Sequence, residues 1–374
     1  MIAKAYAPSF EIEMARKDVR LMLETAGSRP LAALPAVAAR MVALAGAPQA
    51  NMLHLHLPVS RERALAMFAY ESAVTDLTSA LAAASIAAPD DLAQRADLLV
   101  LLGTAQTRAG DADRARAAFR EAGEVATECG AWHTLAQAAL GYGGVAGFGG
   151  GWITFGEVDD VLVGLLEKAL AVHPDGDDAM RSCLLSRLAQ ALYWSDDKDR
   201  MWSLSEEALD MARRLDDPSA LAQALDSRHV AVWDADHLDE REQLAGEILR
   251  LGEQLKDRDI RLEAYAWLIT DALERGHIDT VNDYITAHTA LAEELQQPYH
   301  LWYSRVEAGM RAHLDGRYHD MERLIAEAWG FGERSHGSNA LQCLHVQTLL
   351  LKADRGEVSP LVDGLAEFVE QSPL

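Results

Sequence analysis

The stretch Leu98–Gly130, LLVLLGTAQTRAGDADRARAAFREAGEVATECG, decides how the chain folds. A leucine-rich run with Gly103 in its middle stops at Gly110, Asp111 follows, and Ala115, Phe119 and Ala122 then recur at i, i+4 and i+7. That spacing marks one face of a helix. Asp111 offers an oxygen to the orphan amides at the start of this helix, and Gly110 is the residue type on which a preceding helix ends. The small residue at 103 lets two helices approach closely. A helix pair joined by a tight turn follows.

The same layout returns downstream. Ala189, His229, Ile269, Gly309 and Leu349, each in the middle of a first helix, are spaced 40 residues apart, and Gly103 lies 86 residues before Ala189, about two units and a short insertion. Second helices carry Ala208, then Ala245, then Val281 and Ile285, then Met321, Ile325 and Ala328 in the matching frame. First helices stop at Gly276, Gly316 and Gly356. They open after Pro89-Asp90-Asp91, Asp175-Gly176-Asp177, Asp216-Asp217-Pro218-Ser219 and Gln297-Pro298, residues that suit a helix amino terminus. A fixed register of this length is a tandem repeat. The expected fold is all-α: antiparallel helix pairs stacked into a right-handed superhelix, an α-solenoid whose units pack on their neighbours. The order Leu102-Gly103, Gly110, Ala115, Phe119, Ala122 resembles the tetratricopeptide pattern, with helices about a turn longer than its roughly 34-residue unit provides.

Two regions are expected. Residues 1–57 form an amino-terminal helical segment, with helices near 10–27 and 31–46 and a linker from Ala47 to Pro58. Residues 58–374 form the solenoid, with a glycine-rich insertion at 141–156. Residues 60–84 add a repeat-like helix with Ala73, Leu77 and Ala80 in the second-helix frame.

Apolar residues make up 49% of the chain and charged residues 25%, enough for a core and too apolar for disorder. Val, Ile and Thr form no alternating runs, which argues against a sheet. The net charge of −24 repels phosphates, so neither direct nucleic-acid binding nor an anionic membrane surface is expected. Such a charge serves solubility and would favour a basic partner. Cys129, Cys183 and Cys343 lie far apart and no CxxC occurs, which suits a reducing compartment. The start, MIAKAYAPSFEIEMARKDVR, lacks the apolar core of a signal peptide. No 18-residue uncharged apolar run occurs, so no membrane span is expected and the cytoplasm is the expected address.

Motifs that would carry chemistry are missing: no GxxxxGK[ST], GxSxG or HExxH occurs. Gly141–Gly151 holds seven glycines, but no strand precedes it and no lysine lies near, so a lid over a groove or an irregular turn is expected instead of a phosphate loop. His54 and His56 form an HxH without a third ligand. His229, Asp234, His237 and Glu240 span a helix corner and read as capping and ion pairing, as do His313 and His319 about a turn. Cys343 and His345, two apart, point to different helix faces. Acidic pairs such as Asp159-Asp160, Asp196-Asp197, Glu206-Glu207 and Glu293-Glu294 read as caps or solvated faces. No catalytic set, metal or cofactor is expected.

In stacked helix pairs the first helices line the concave surface. The register places Gln137, Gln190, Tyr193, Asp226, His229, Trp233, Glu263, Thr270, Tyr303, Met310 and His313 there, with Trp152 contributed by the glycine-rich segment. Aromatic rings mixed with amides, acids and histidine suit a small polar-aromatic ligand or an extended peptide. The competing role for the eight tryptophans is that of wedges between helices.

The stretches ALGYGGVAGFGGGW (Ala139–Trp152), LDGRYHDMERLIAEA (Leu314–Ala328) and NALQCLHVQ (Asn339–Gln347) are similar to the helical-repeat region of large bacterial signalling regulators. Those regulators carry a P-loop ATPase module before the repeats. They often add an output module, a helix-turn-helix of the LuxR or antibiotic-regulator type or a nucleotide cyclase. The resemblance covers roughly residues 60–374 and implies a regulatory or sensor scaffold, here without ATPase or output motifs. Its groove would receive a peptide, a protein segment or a small-molecule effector. The alternative is an enzyme with its site in the groove, the glycine-rich segment as lid and Asp226, His229, Glu263 or His313 as acid or base. A terminal helix left with an apolar face would also let a second copy pair with it as a homodimer.

Overall fold

The computed structural model describes residues 59–144, 155–335 and 337–357. The helices expected near 10–27 and 31–46, the His54–His56 pair and Trp152 lie outside the described residues. Within them there are fourteen α-helices and no strand. In chain order these are α1 Val59–Ala87, α2 Leu92–Arg108, α3 Ala112–Cys129, α4 Trp132–Tyr142, α5 Asp160–Val172, α6 Ala179–Ala191 and α7 Lys198–Arg214. They continue as α8 Pro218–Ala231, α9 Leu238–Leu255, α10 Arg258–Glu274, α11 Ile278–Leu295, α12 Pro298–Leu314, α13 Tyr318–Ser335 and α14 Gly337–Asp354.

Local chemistry explains the boundaries. Asp91, Asp111, Asp159, Asp178, Asp197, Asp217 and Asp257 each accept backbone N–H groups at the start of α2, α3, α5, α6, α7, α8 and α10, answering donors that a helix cannot satisfy itself. Gly110, Gly276, Gly316 and Gly356 take φ between +70° and +78° just past α2, α10, α12 and α14, where a side chain would be strained.

Each helix packs against the next one in the chain, and α2, α4, α6 and α8 also touch in succession, as do α12 and α14. The odd-numbered helices bury the face that the repeat register selects: Ala115, Phe119 and Ala122 in α3, Ala208 in α7, Ala245 in α9, Val281 in α11 and Met321 in α13 are all buried. On α3 the opposite face carries Asp113, Arg114, Arg120 and Glu124, all exposed. The ring of Phe119 locks α2, α3 and α4 together. A Cβ on Gly103 would sit 2.9 Å from it and one on Gly141 as close as 2.3 Å, so only glycine admits the ring on either side.

The even-numbered helices differ. Hemmed in on several sides, α8 buries ten of its fourteen residues, among them Asp226, Ser227, Arg228 and His229.

The string of helices also returns on itself. Arg108 at the end of α2 is 3.3 Å from Asp259 in α10, and a Cβ on Gly110 would lie 3.3 Å from Pro298 of α12. Farther along, the Phe155 amide donates to Asn339 Oδ1 of α14 at 3.0 Å. No helix among the described residues is long and apolar enough to cross a membrane. The three cysteines are free thiols, and burial pushes Cys183 up to about 12 and Cys343 to about 11, which makes both poor nucleophiles.

Candidate functional site

Buried polar side chains gather on the even-numbered helices: Arg187 and Gln190 on α6, Asp226 and His229 on α8, Glu263 and Asp271 on α10, His300 and Glu307 on α12. Burial of such groups costs free energy unless partners replace water, so their partners define what the face is built to do.

One network runs across four helices. Arg187 Nε and Nη2 donate to the Gly143 carbonyl at 3.0 and 2.5 Å. Gln190 Nε2 donates to Asp226 Oδ2 at 2.6 Å, and Trp267 Nε1 of α10 donates to Asp226 Oδ1 at 2.6 Å. The Trp267 indole stacks on His229, centroids 4.4 Å apart. His229 Nε2 is 2.9 Å from Asp271 Oδ2, whose other oxygen is 3.3 Å from Arg241 Nε of α9. Burial pushes the Asp226 carboxyl above the ordinary carboxylate range, against the opposing pull of Trp267, His229, Gln190 and Arg187. Burial likewise pulls Arg187 down to about 10. Beside this network Tyr193 lies 6.2 Å from Trp233, which meets Trp267 edge-on at 5.2 Å. Trp233 keeps 40% of its surface exposed.

A second group sits on α12. Tyr299 and Tyr303 run parallel, 6.3 Å apart at 9°, and His288 of α11 meets Tyr303 edge-on. His288 Nδ1 is 2.6 Å from Glu307 Oε2. Burial raises both phenols; Glu263, Asp226 and Glu307 add to the rise at Tyr299, and Glu307 and Glu263 at Tyr303.

Of the residues placed in the groove by register, Gln190, Asp226 and His229 belong to the first network. Tyr193 and Trp233 flank it, and Glu263 and Tyr303 belong to the second group. The others are spread out. Gln137 is half-buried on α4. The Thr270 hydroxyl donates to Ala266 O of its own helix. Met310 packs on the cluster of Ile269 and Val281. His313 is held by Asp354 of α14 at 2.7 Å. At the helix corner, Asp234 caps the turn and lies 2.7 Å from His237 Nδ1, and Arg228 pairs with Glu240 at 2.9 Å.

Arg187, Trp267, Asp271, Tyr299 and Glu307 were not singled out from the sequence. A signal for three of them was present, because Arg187, Ser227, Trp267 and Glu307 repeat at 40 residues in the first-helix frame. Some tryptophans are wedges: Trp302 is buried against Ala328 and Ala340, with Gly332 leaving room for its ring.

Among the described residues no three His, Cys, Asp or Glu side chains stand close enough to hold a metal ion. Where the chain returns on itself, Thr107, Arg108, Gly110, Gln297, Tyr299 and Ser335 line a cleft of about 20 Å³, room for about one water. No protein-family model matches this chain, and no curated protein matches it.

Proposed function

We propose that the fourteen helices form a tetratricopeptide-like solenoid of right-handed curvature whose even-numbered helices line a binding groove, and that the protein is a recognition scaffold of the regulatory or sensor kind. The carrying observation is the polar-aromatic face built by successive even-numbered helices: Gln190, Asp226 and Trp267 in one hydrogen-bonded line, with Tyr193 and Trp233 beside it. A fold core has no need of such a line, since apolar side chains would fill the same space at lower cost. A fixed array of donors, acceptors and rings is what orients a bound molecule. The partly exposed Trp233 and Tyr193 are its accessible rings.

The test is native mass spectrometry of the intact protein from its source cell. A retained small molecule, peptide or partner is expected. The paired change Trp233→Ala and Tyr193→Ala should abolish retention while the melting temperature stays within a few degrees. Substrate turnover with no retained molecule would instead favour an enzyme, for which the raised Asp226 carboxyl is the general-acid candidate.

A further inference from the structure

We propose that Trp194, Tyr193 and Trp233 form a docking face for an arginine-bearing segment of a partner protein, its guanidinium groups stacked on the two indoles and paired with the Asp196 and Asp236 carboxylates. This rests on the recognition-scaffold reading and adds the chemical class of the occupant.

The first ground is an exposed row of rings. Tyr193 and Trp194 stand just past the end of α6, and Trp233 just past the end of α8. The Tyr193 ring meets Trp194 edge-on at 5.1 Å and adjoins Trp233 at 6.2 Å. Each indole keeps 40% of its surface exposed. Contiguous exposed rings mark interaction surfaces, and tryptophan is among the residues that anchor them. An extended chain sets its side chains on one side about 7 Å apart, the scale of this row, which favours a peptide over a small molecule.

The second ground is charge. Both indoles are followed by acids, in Trp194-Ser195-Asp196-Asp197 and Trp233-Asp234-Ala235-Asp236. Neighbouring carboxylates are already engaged. Asp197 caps α7 and Asp234 caps the turn after Trp233. Glu240 pairs with Arg228, and Asp239 and Glu242 with Arg275. Asp196 and Asp236 are exposed and have no ion pair among the described residues.

The third ground is what the chain does with its own rings. The Arg228 guanidinium lies 3.9 Å from the Trp202 ring centre, and that of Arg116 lies 4.5 Å from the Tyr142 ring centre. Lys198 stands over Tyr193 at 5.1 Å, so the middle ring is taken and the two indoles remain. Arginine suits them better than lysine, because its planar fork stacks on a ring and grips a carboxylate with two N–H groups at once.

These grounds separate occupants. A phosphate-rich partner would meet the acids and the net charge of −24. An apolar helix would bury both carboxylates unpaired. A second copy joined through the same face would set these acids against themselves.

The experiment is calorimetric titration of the intact chain at pH 7 with the peptide acetyl-(Gly-Arg)4-amide and its lysine and glutamate counterparts. The arginine peptide should saturate and bind at least threefold tighter than the lysine peptide, and the glutamate peptide should give no heat. Trp194→Ala and Trp233→Ala should each weaken the arginine peptide by roughly 3- to 30-fold, the range for a cation on an indole. The pair Asp196→Asn with Asp236→Asn leaves the rings in place and should weaken it at least tenfold. The pair Asp90→Asn with Asp175→Asn removes the same charge from exposed positions on other turns and should change affinity less than twofold. Equal affinity for arginine and lysine, no saturation, indifference to both tryptophan changes, or equal losses from the two aspartate pairs would each overturn the proposal. If the arginine peptide fails while a molecule retained from the source cell is lost on Trp233→Ala with Tyr193→Ala, the scaffold reading stands and the arginine class is overturned.

Discussion

Phe119 shows how much of this fold rests on single atoms. The register marks it as a core position and Gly103 as the small residue it needs. Gly141 reads from the sequence only as the first glycine of an insertion; in the structure it is the other jaw of the clamp on the same ring. Local pattern could not show this, because the pairing joins α4 to α3 across residues that share no helix face. Gly141→Ala would bring Cβ within 2.3 Å of the ring, and the buried ring has no free side to move to. The cost should be about 1–3 kcal/mol, the usual range for overpacking. Gly164→Ala is the control, since nothing lies within 4 Å of its Cβ position in α5 and alanine favours helix over glycine. Urea midpoints should fall for the first and hold or rise for the second. A Gly141→Ala protein as stable as the parent would mean that the clamp is looser than drawn.

At the scale of elements, the odd-numbered helices were legible and the even-numbered ones only in part. An odd-numbered helix has one buried stripe and one charged face, which periodicity reveals. An even-numbered helix is flanked by neighbours on several sides, so its polar residues lie inside and pattern alone assigns them to solvent or groove without distinguishing the two. Ser182 and Ser227 illustrate this: their hydroxyls donate to the Ala208 and Ser186 carbonyls of adjacent helices at 3.0 and 2.8 Å. Helix starts were legible to within a residue or so. Asp175-Gly176-Asp177 announces α6, but the cap is Asp178, which accepts the Met180 and Arg181 amides at 2.9 and 3.2 Å and lies 3.1 Å from His173 Nε2. Asp177 pairs instead with Arg214 on the surface. Asp178→Ala should therefore cost about 1 kcal/mol, whereas Asp177→Ala should leave the denaturation midpoint where it was, as exposed ion pairs contribute little. Equal effects of the two changes would assign the cap wrongly.

At the scale of the molecule, no sequence pattern pointed to the return of the chain on itself, because the contacts join residues some 150 positions apart and no local rule constrains such pairs. Arg108 and His300 both lie 3.3 Å from Asp259, and Gln297 Nε2 donates to the same carboxylate at 3.4 Å. This junction ties the α2–α3 turn to the starts of α10 and α12. Burial holds His300 below its ordinary 6.5; Asp259 offsets this in part, and His288 and Arg108 add to it. For Asp259, burial acts upward, but His300 and Arg108 together hold it below its ordinary 3.8. A base whose folded pKa is depressed stabilises closure above its ordinary value, and that stability is lost as pH falls below 6.5 through the depressed one. The Asp259 contribution is present above 3.8 and fails only in stronger acid. Between those limits any loosening of the junction therefore belongs to His300. Hydrogen exchange in the α2–α3 turn should accelerate between pH 7.5 and 5 after correction for intrinsic rates. His300→Gln, neutral throughout, should remove that acceleration, and Arg108→Ala should raise exchange at both values. Identical corrected exchange in the parent at the two pH values would show that the junction does not sense His300.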